Sequence, residues 1–301
     1  MKSVQVLLSC YNGEKYIAEQ IDSIMNQKGV KVKLLIRDDG STDSTRLILK
    51  KYLEHHSNIQ FFSGKNIGVQ KSFFNLLSRA DVQMDYYAFA DQDDFWLEGK
   101  LQRAIACLES YEDSEKPLLY ASKVIYADET LENLERFSYN VRRAPSFGNA
   151  LLENICIGCT EVFNGKLRDM VTKHQPQSDI MHDWWLYMTA SSFGKVFFDE
   201  EAHIYYRQHQ NNQIGMNNNW CDRWKNRIRN VGKMKGLIRR QAQDFYRAFG
   251  DLGGYHVITK QIASYKDNVR NRYKIVRQKE IYRQNRVDDI VYRILFLMGY
   301  L

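Results

Sequence analysis

Two hydrophobic periods alternate along the first ninety residues, and a chain patterned this way has few folds open to it. Val4-Gln5-Val6-Leu7-Leu8 is a short apolar run that reads as a buried strand. Asn12-Gly13 marks a turn. Ile17, Ile21, Ile24 and Met25 then recur at helical spacing, and Gly29 is expected just past the end of that helix. A second strand is predicted over Val32–Ile36, followed by a helix through Leu47, Ile48 and Leu49 that Ser41 or Asp43 can cap. Ile59–Phe62, a helix over Ser72–Leu77, and Tyr86–Ala90 complete the order β-α-β-α-β-α-β. Such an order predicts an α/β fold, a mostly parallel sheet flanked by helices on both faces.

In sheets of this kind ligands bind outside the carboxyl ends of the strands. The residues that fall there are Tyr11-Asn12, Asp38-Asp39, Lys65-Asn66 and Asp91-Gln92-Asp93. The last group is the most telling, because the apolar run from Tyr87 ends in three carboxylates within four residues, Asp91, Asp93 and Asp94. Packed acids repel, and a hard divalent cation, Mg²⁺ or Mn²⁺, typically joins one or two carboxylates to substrate phosphates. The plain alternative is a solvated acidic turn, and Asp38-Asp39-Gly40-Ser41 taken alone is a turn with a helix cap. Neither G-x-G-x-x-G nor a P-loop follows the first strand, which disfavours a nicotinamide enzyme or a P-loop ATPase.

Beyond residue 100 strands are expected over Leu118–Tyr126 and Lys195–Phe198, and a helix from His182-Asp183-Trp184-Trp185. Past Trp220 the chain turns helical and basic. The expected organisation is a catalytic domain over 1–218 and a basic helical region over 219–301. Residues 221–301 hold 19 Lys and Arg against 7 Asp and Glu, a net +12, inside a chain of net +7. Such a tail suits an anionic surface. Val287, Ile290, Val291, Ile294, Leu295 and Met298 give it an amphipathic last helix. That helix fits peripheral membrane contact, packing on its own domain, or a homodimer. No nucleic-acid-binding motif accompanies the charge.

Five scattered cysteines, with a lone Cys156-x-x-Cys159 and no second ligand pair, read as reduced thiols rather than a zinc site. Met1–Cys10 reads as a strand, not a signal peptide, and no segment reaches the ~18 apolar residues of a spanning helix. A cytoplasmic protein at the inner face of the cell membrane is expected. Nineteen tyrosines and five tryptophans exceed what a core needs, so some rings should line a site and stack on sugars or bases.

Four segments in order carry a resemblance. They are Leu8-Ser9-Cys10-Tyr11-Asn12-Gly13-Glu14-Lys15-Tyr16-Ile17, Arg37-Asp38-Asp39-Gly40-Ser41-Thr42-Asp43, Asn66-Ile67-Gly68 and Asp91-Gln92-Asp93-Asp94. Together they resemble family 2 glycosyltransferases of the GT-A fold. Asp-Gln-Asp-Asp-Phe-Trp, His182-Asp183-Trp184 and Tyr206-Arg207-Gln208-His209-Gln210-Asn211-Asn212 look most like the rhamnosyltransferase-like branch of bacterial polysaccharide synthesis. The resemblance covers about residues 3–215.

It implies an inverting, metal-dependent transfer of a sugar, such as L-rhamnose from dTDP-rhamnose, to a cell-surface polysaccharide or lipid-linked glycan. By similarity Tyr11 and Asp39 would contact the nucleoside with Asp38 near, and Asn12, Asn66 and Gln92 would belong to the donor site. Asp93 would be the main metal ligand, and Asp91 would share in coordination or touch the ribose. Asp183 would be the general base, and Arg207 and His209 would close on the diphosphate. His182 and Trp184 are expected on the acceptor side, with Trp185 in the core. Against these roles, Asp183 could be a helix cap, and Arg207 and His209 a solvated basic turn. Alternation would put the latter two on one face of an extended segment. The Asn-rich stretch 211–219 reads as a loop over the donor. The competing functions are transfer of glucose or galactose from a UDP-sugar, and a non-catalytic nucleotide-sugar or glycan-binding module.

Overall fold

The structure, a computed structural model, describes residues 1–138, 140–209, 236–250, 252, 256–265 and 269–301. The boundary expected at 218/219, the loop over 211–219 and the end of the Tyr206–Asn212 motif lie outside the described residues.

Strands β1 (Ser3–Cys10), β2 (Lys31–Asp38), β3 (Ile59–Ser63) and β4 (Tyr86–Ala90) alternate with helices α1 (Ile17–Met25), α2 (Thr45–His55) and α3 (Val69–Arg79). The chain continues through β5 (Phe95–Trp96), α4 (Lys100–Glu109), β6 (Leu118–Ser122), β7 (Ile125–Ala127) and β8 (Asn133–Phe137). Helix α5 (Phe147–Ala150), β9 (Val162–Asn164), α6 (Gly165–Lys173), α7 (His182–Phe193), β10 (Lys195–Asp199) and β11 (Ile204–Arg207) follow. The C-terminal helices are α8 (Leu237–Phe249), α9 (His256–Ala263), α10 (Val269–Arg277) and α11 (Arg286–Met298).

The main sheet has the order β10-β6-β9-β4-β1-β2-β3. All its pairings are parallel except those of β9, which runs antiparallel to both β4 and β6. Period-two alternation divides the core. On β1, Val4, Val6 and Leu8 face one layer with α1 and α4, while Leu7 faces the other with α3 and α7. A second sheet, β5-β11-β7-β8, lies beyond the strand ends. The segment expected as one strand over Leu118–Tyr126 is thus split, with β6 in the main sheet and β7 in the small one.

Two local expectations need correction. Helix α1 stops at Met25 with Asn26 as its C-cap, so Gly29 lies in the turn beyond, where its φ of +73° suits glycine. Ser41 does not cap α2. Its hydroxyl accepts from Asn12 N (2.9 Å), while Asp43 accepts from Thr45 N (3.0 Å) at the helix start.

The C-terminal helices share the core of the first two hundred residues. Ile238, Phe245, Phe249, Ile262, Tyr292, Phe296 and Leu301 are buried in one cluster with Phe73, Phe163 and Trp185. Gln284 accepts from Arg142 N (3.0 Å) and Arg143 N (2.9 Å), and Arg283 donates to Leu152 O (2.9 Å). A Cβ on Gly148 would come within 2.0 Å of Glu280 O, so this approach depends on glycine.

Candidate active site

The carboxyl ends of β1, β2 and β4, the start of α7 and the segment after β11 converge on one cleft of about 890 Å³. Tyr11, Asn12, Asp39, Asn66, Asp91, Gln92, Asp93, His182, Asp183 and His209 all line it.

On the donor wall the expected residues hold one another. Gln92 accepts from Tyr11 N (2.8 Å) and donates to Tyr11 O (3.1 Å), clamping the β1 and β4 loops together. A Cβ on Gly13 would sit 2.4 Å from Gln92 Oε1, which explains the glycine after Asn12. Asn12, at φ +49°, accepts from Thr42 N (2.9 Å). The Asp39 carboxylate accepts from Ile67 N (2.8 Å), Gly68 N (2.9 Å) and Arg37 Nη1 (2.5 Å), so it fixes the Asn66–Gly68 loop. Asp38 does not line the cleft. It is buried between Ser41 N (3.0 Å) and Arg46 Nε (2.6 Å), and its hydrogen bonds hold its carboxyl below the usual range despite burial.

Asp93 is the meeting point of β4 and β11. Its Oδ2 is 2.7 Å from His209 Nε2, and its carbonyl accepts from Arg207 Nε at 2.8 Å. Alternation along the strand does bring Arg207 and His209 to one face, but that face looks onto Asp93. Arg207 is only 2% exposed and is absent from the cleft lining, so it is not placed to close on a diphosphate. Its guanidinium also bonds Glu19 and the Glu129 carbonyl and lies 4.5 Å from the centre of the Tyr16 ring. Tyr16 stacks in turn on His209, ring centres 5.2 Å apart. Burial, then the charges of Asp93 and Asp183, push the Asp91 carboxyl up to about 7.

Asp183 stands in the first turn of α7 with Met181 as N-cap. Its Oδ1 accepts from Trp184 N (2.7 Å), and Gly158 N–H and Asn154 also bond it. These bonds lower its pKa, but burial outweighs them and lifts it to about 6. The cap-like bonding and a place on the cleft therefore coexist. His182 lies flat on Phe73 with ring centres 3.9 Å apart, and burial drops it to about 3, so it is neutral. Trp184 departs from expectation. It is not on the cleft lining, packs against the core, and donates its indole N–H to Ala150 O (2.6 Å). Trp185 is fully buried, as expected, and donates to His174 O (2.8 Å).

Several cleft residues escaped sequence reasoning. Tyr16, Glu129, Gly158 and Tyr206 line it, yet only Tyr16 and Tyr206 sit inside a recognisable segment. Below the cleft is a buried polar layer. Lys100 Nζ sits 3.7 Å from the centre of the Trp96 ring, and burial lowers it to about 7 against the pull of Cys159 and Asp94. Asp91, Asp94 and Cys159 bring ligand atoms within 4.8 Å of one another. Burial raises the Cys159 thiol far above its ordinary range, however, so it is protonated and a poor partner for a hard cation.

Residues 5–150 match the family model described as Glycosyl transferase family 2. The dTDP-rhamnosyl transferase RfbG of Shigella flexneri is 33% identical over 230 residues, covering 72% of this chain and 77% of the relative. An uncharacterized Mycobacterium bovis protein is 27% identical over 209 residues, and there the match spans 66% of this chain and 57% of the relative. Among solved structures, Staphylococcus aureus TarS 1–349 in complex with UDP-GlcNAc superposes with a TM-score of 0.62 at 17% identity, covering 99% of this chain and 82% of that one. The mannosyltransferase PcManGT from Pyrobaculum calidifontis, in complex with GDP-Man and Mn²⁺, gives 0.54 at 15% identity, covering 90% and 71%. These two likenesses concern the fold alone, which is that of GT-A glycosyltransferases. The family match and the Shigella relative show a glycosyltransferase, and the chain belongs to family 2 of that class.

Proposed function

We propose that the cleft binds a nucleotide-diphosphate sugar, dTDP-L-rhamnose, and passes the sugar with inversion to a hydroxyl of a cell-surface polysaccharide or lipid-linked glycan. The observation that carries this reading is the convergence of Asp91, Asp93 and Asp183 on one cleft large enough for a nucleotide sugar. The Shigella relative supports the choice of rhamnose.

Asp91 and Asp93 fit a hard divalent cation, Mg²⁺ or Mn²⁺, because both offer carboxylate oxygens on the cleft wall and Asp91 is under like-charge pressure there. When bound, such a cation would offset the charge growing on the leaving diphosphate. Tyr11 and Asn66 border the space left for the nucleoside, and Asp39 holds the loop that carries Asn66. Arg207 and His209 act on Asp93, one through its carbonyl and one through its carboxylate, and so set its orientation. Asp183 takes the proton from the acceptor hydroxyl as that oxygen attacks the anomeric carbon. A carboxylate lifted to about 6 is a stronger base than an ordinary one and is still ionised at neutral pH. Neutral His182, beside it on the lining, offers a ring edge to the acceptor.

The test is a donor panel with Mn²⁺ present, following release of the nucleoside diphosphate. dTDP-rhamnose should be turned over fastest. Turnover of UDP-glucose or UDP-galactose with none of dTDP-rhamnose would overturn the choice of sugar.

A further inference from the structure

The last helix is apolar on two opposite sides. Tyr292 and Phe296 point inward and are buried with Leu152, Ile275 and Ile281. Val287, Ile290, Ile294, Leu297 and Met298 point the other way and are between 47% and 67% exposed. At 100° per residue these five fall within an arc of about 100°. An isolated exposed apolar side chain is ordinary; a continuous outward stripe along a whole helix marks a contact surface. The neighbouring helix α10 carries two more exposed apolar side chains, Val269 and Tyr273, 71% and 56% exposed.

Charge decides what the stripe meets. Residues 269–301 contain eight Lys and Arg against three Asp and Glu. Lys274, Arg277 and Arg286 are exposed on the same two helices. Two copies of the chain meeting through this face would bring like charges together, whereas an anionic lipid surface brings opposite ones. On α11 itself Arg286 and Arg293 balance Asp288 and Asp289, so the basic excess comes from α10, which carries Arg270, Arg272, Lys274 and Arg277 and no acid. An apolar stripe beside a basic helix, both too short to span, suits helices lying in the headgroup layer. No helix among the described residues is long and apolar enough to cross a membrane.

We propose that the outward face of α11, with the basic surface of α10 beside it, docks this protein on an anionic membrane. Insertion of Ile290, Ile294 and Met298 at the boundary between headgroups and acyl chains would supply the apolar part, and the Lys and Arg side chains of α10 would pair with lipid phosphates. Docking of this kind would bring the protein to the surface that carries a lipid-linked acceptor. It is tested without donor or acceptor, so it and the proposed function fail separately.

The experiment is co-sedimentation of the full-length protein with vesicles of phosphatidylcholine alone or mixed with phosphatidylglycerol. The protein should pellet with the anionic vesicles at low salt, less as salt rises, and stay in solution with phosphatidylcholine alone. The double variant Ile290→Glu/Ile294→Glu should partition about tenfold less onto anionic vesicles. Its thermal midpoint should stay near that of the parent, because both positions are exposed. Failure of the full-length protein to pellet with anionic vesicles at low salt would overturn the proposal. So would unchanged partitioning of the double variant joined to loss of a concentration-dependent dimer seen by light scattering, which would assign the face to a second copy.

Discussion

At the scale of single residues, the site depends on burial working against charge. Asp183 is accessible enough to line the cleft and buried enough to titrate near 6. With Asp183 as the proposed base, transfer should rise with pH through about 6, since a base acts only when ionised, and a pH–rate profile under saturating donor checks this. Asp183→Asn should cut transfer by ~10²–10⁴-fold while leaving donor affinity nearly unchanged. Stability carries the opposite sign. A folded-state pKa above the ordinary 3.8 means that the native state holds its proton longer than the unfolded chain, so stability falls as pH rises from about 4 to about 6. The Asn variant should accordingly melt higher than the parent at pH 8 and lose that advantage at pH 4. Most of the residues that sequence reasoning singled out do line the cleft, because residues after parallel strands point into it by topology. That reasoning misplaced Asp38, Trp184 and Arg207 for a single reason. Whether a polar side chain faces a ligand or an internal partner depends on tertiary contacts such as Arg46, Ala150 O and the Asp93 carbonyl, and no local pattern encodes these.

At the scale of elements, β11 and α11 each do two things. Strand β11 ties the small sheet to the main one, because Arg207 at its end bonds Asp93, Glu129 and Glu19 at once. Arg207→Met should cost about 2–3 kcal/mol, mostly from leaving carbonyls without their charged donor. It should also weaken metal-dependent donor binding through Asp93, a coupling that denaturant melts and donor titrations read separately. In α11 the two apolar faces predict opposite outcomes. Phe296→Ala empties a buried site and should cost about 3–5 kcal/mol, whereas Ile290→Glu should change stability by less than about 0.5 kcal/mol. Thermal melts of the two variants check the pair. The helix itself was legible from its spacing. Its division into inward and outward faces was not, because a wide apolar stripe says nothing of how much of it a neighbour will cover.

At the scale of the molecule, the described helices of the basic C-terminal region pack into the same core as the earlier elements. Phe245 and Phe249 pack on Trp185, and Asp244 accepts from Ser178 N at 2.7 Å. Composition alone suggested an appended extension, since charge changes abruptly near residue 220, whereas buried residues from Ile238 onward share a cluster with Phe73 and Trp185. Deleting residues 284–301 removes Tyr292, Phe296 and Leu301 from the core together with the Gln284 contacts to Arg142 and Arg143. The truncated chain should lose about 5 kcal/mol or more and expose apolar surface to a dye such as ANS, measured by melting and fluorescence.

The central claim is that Asp91 and Asp93 hold the donor through a divalent cation. The most direct measurement is the thermal midpoint with dTDP-rhamnose and Mn²⁺, compared with the same donor in EDTA and with the Asp93→Asn variant. A ligand that binds only the native state raises the midpoint by mass action. The account predicts a rise for the parent with Mn²⁺, and none in EDTA or in Asp93→Asn. An equal rise in EDTA, or an equal rise in the variant, would contradict it.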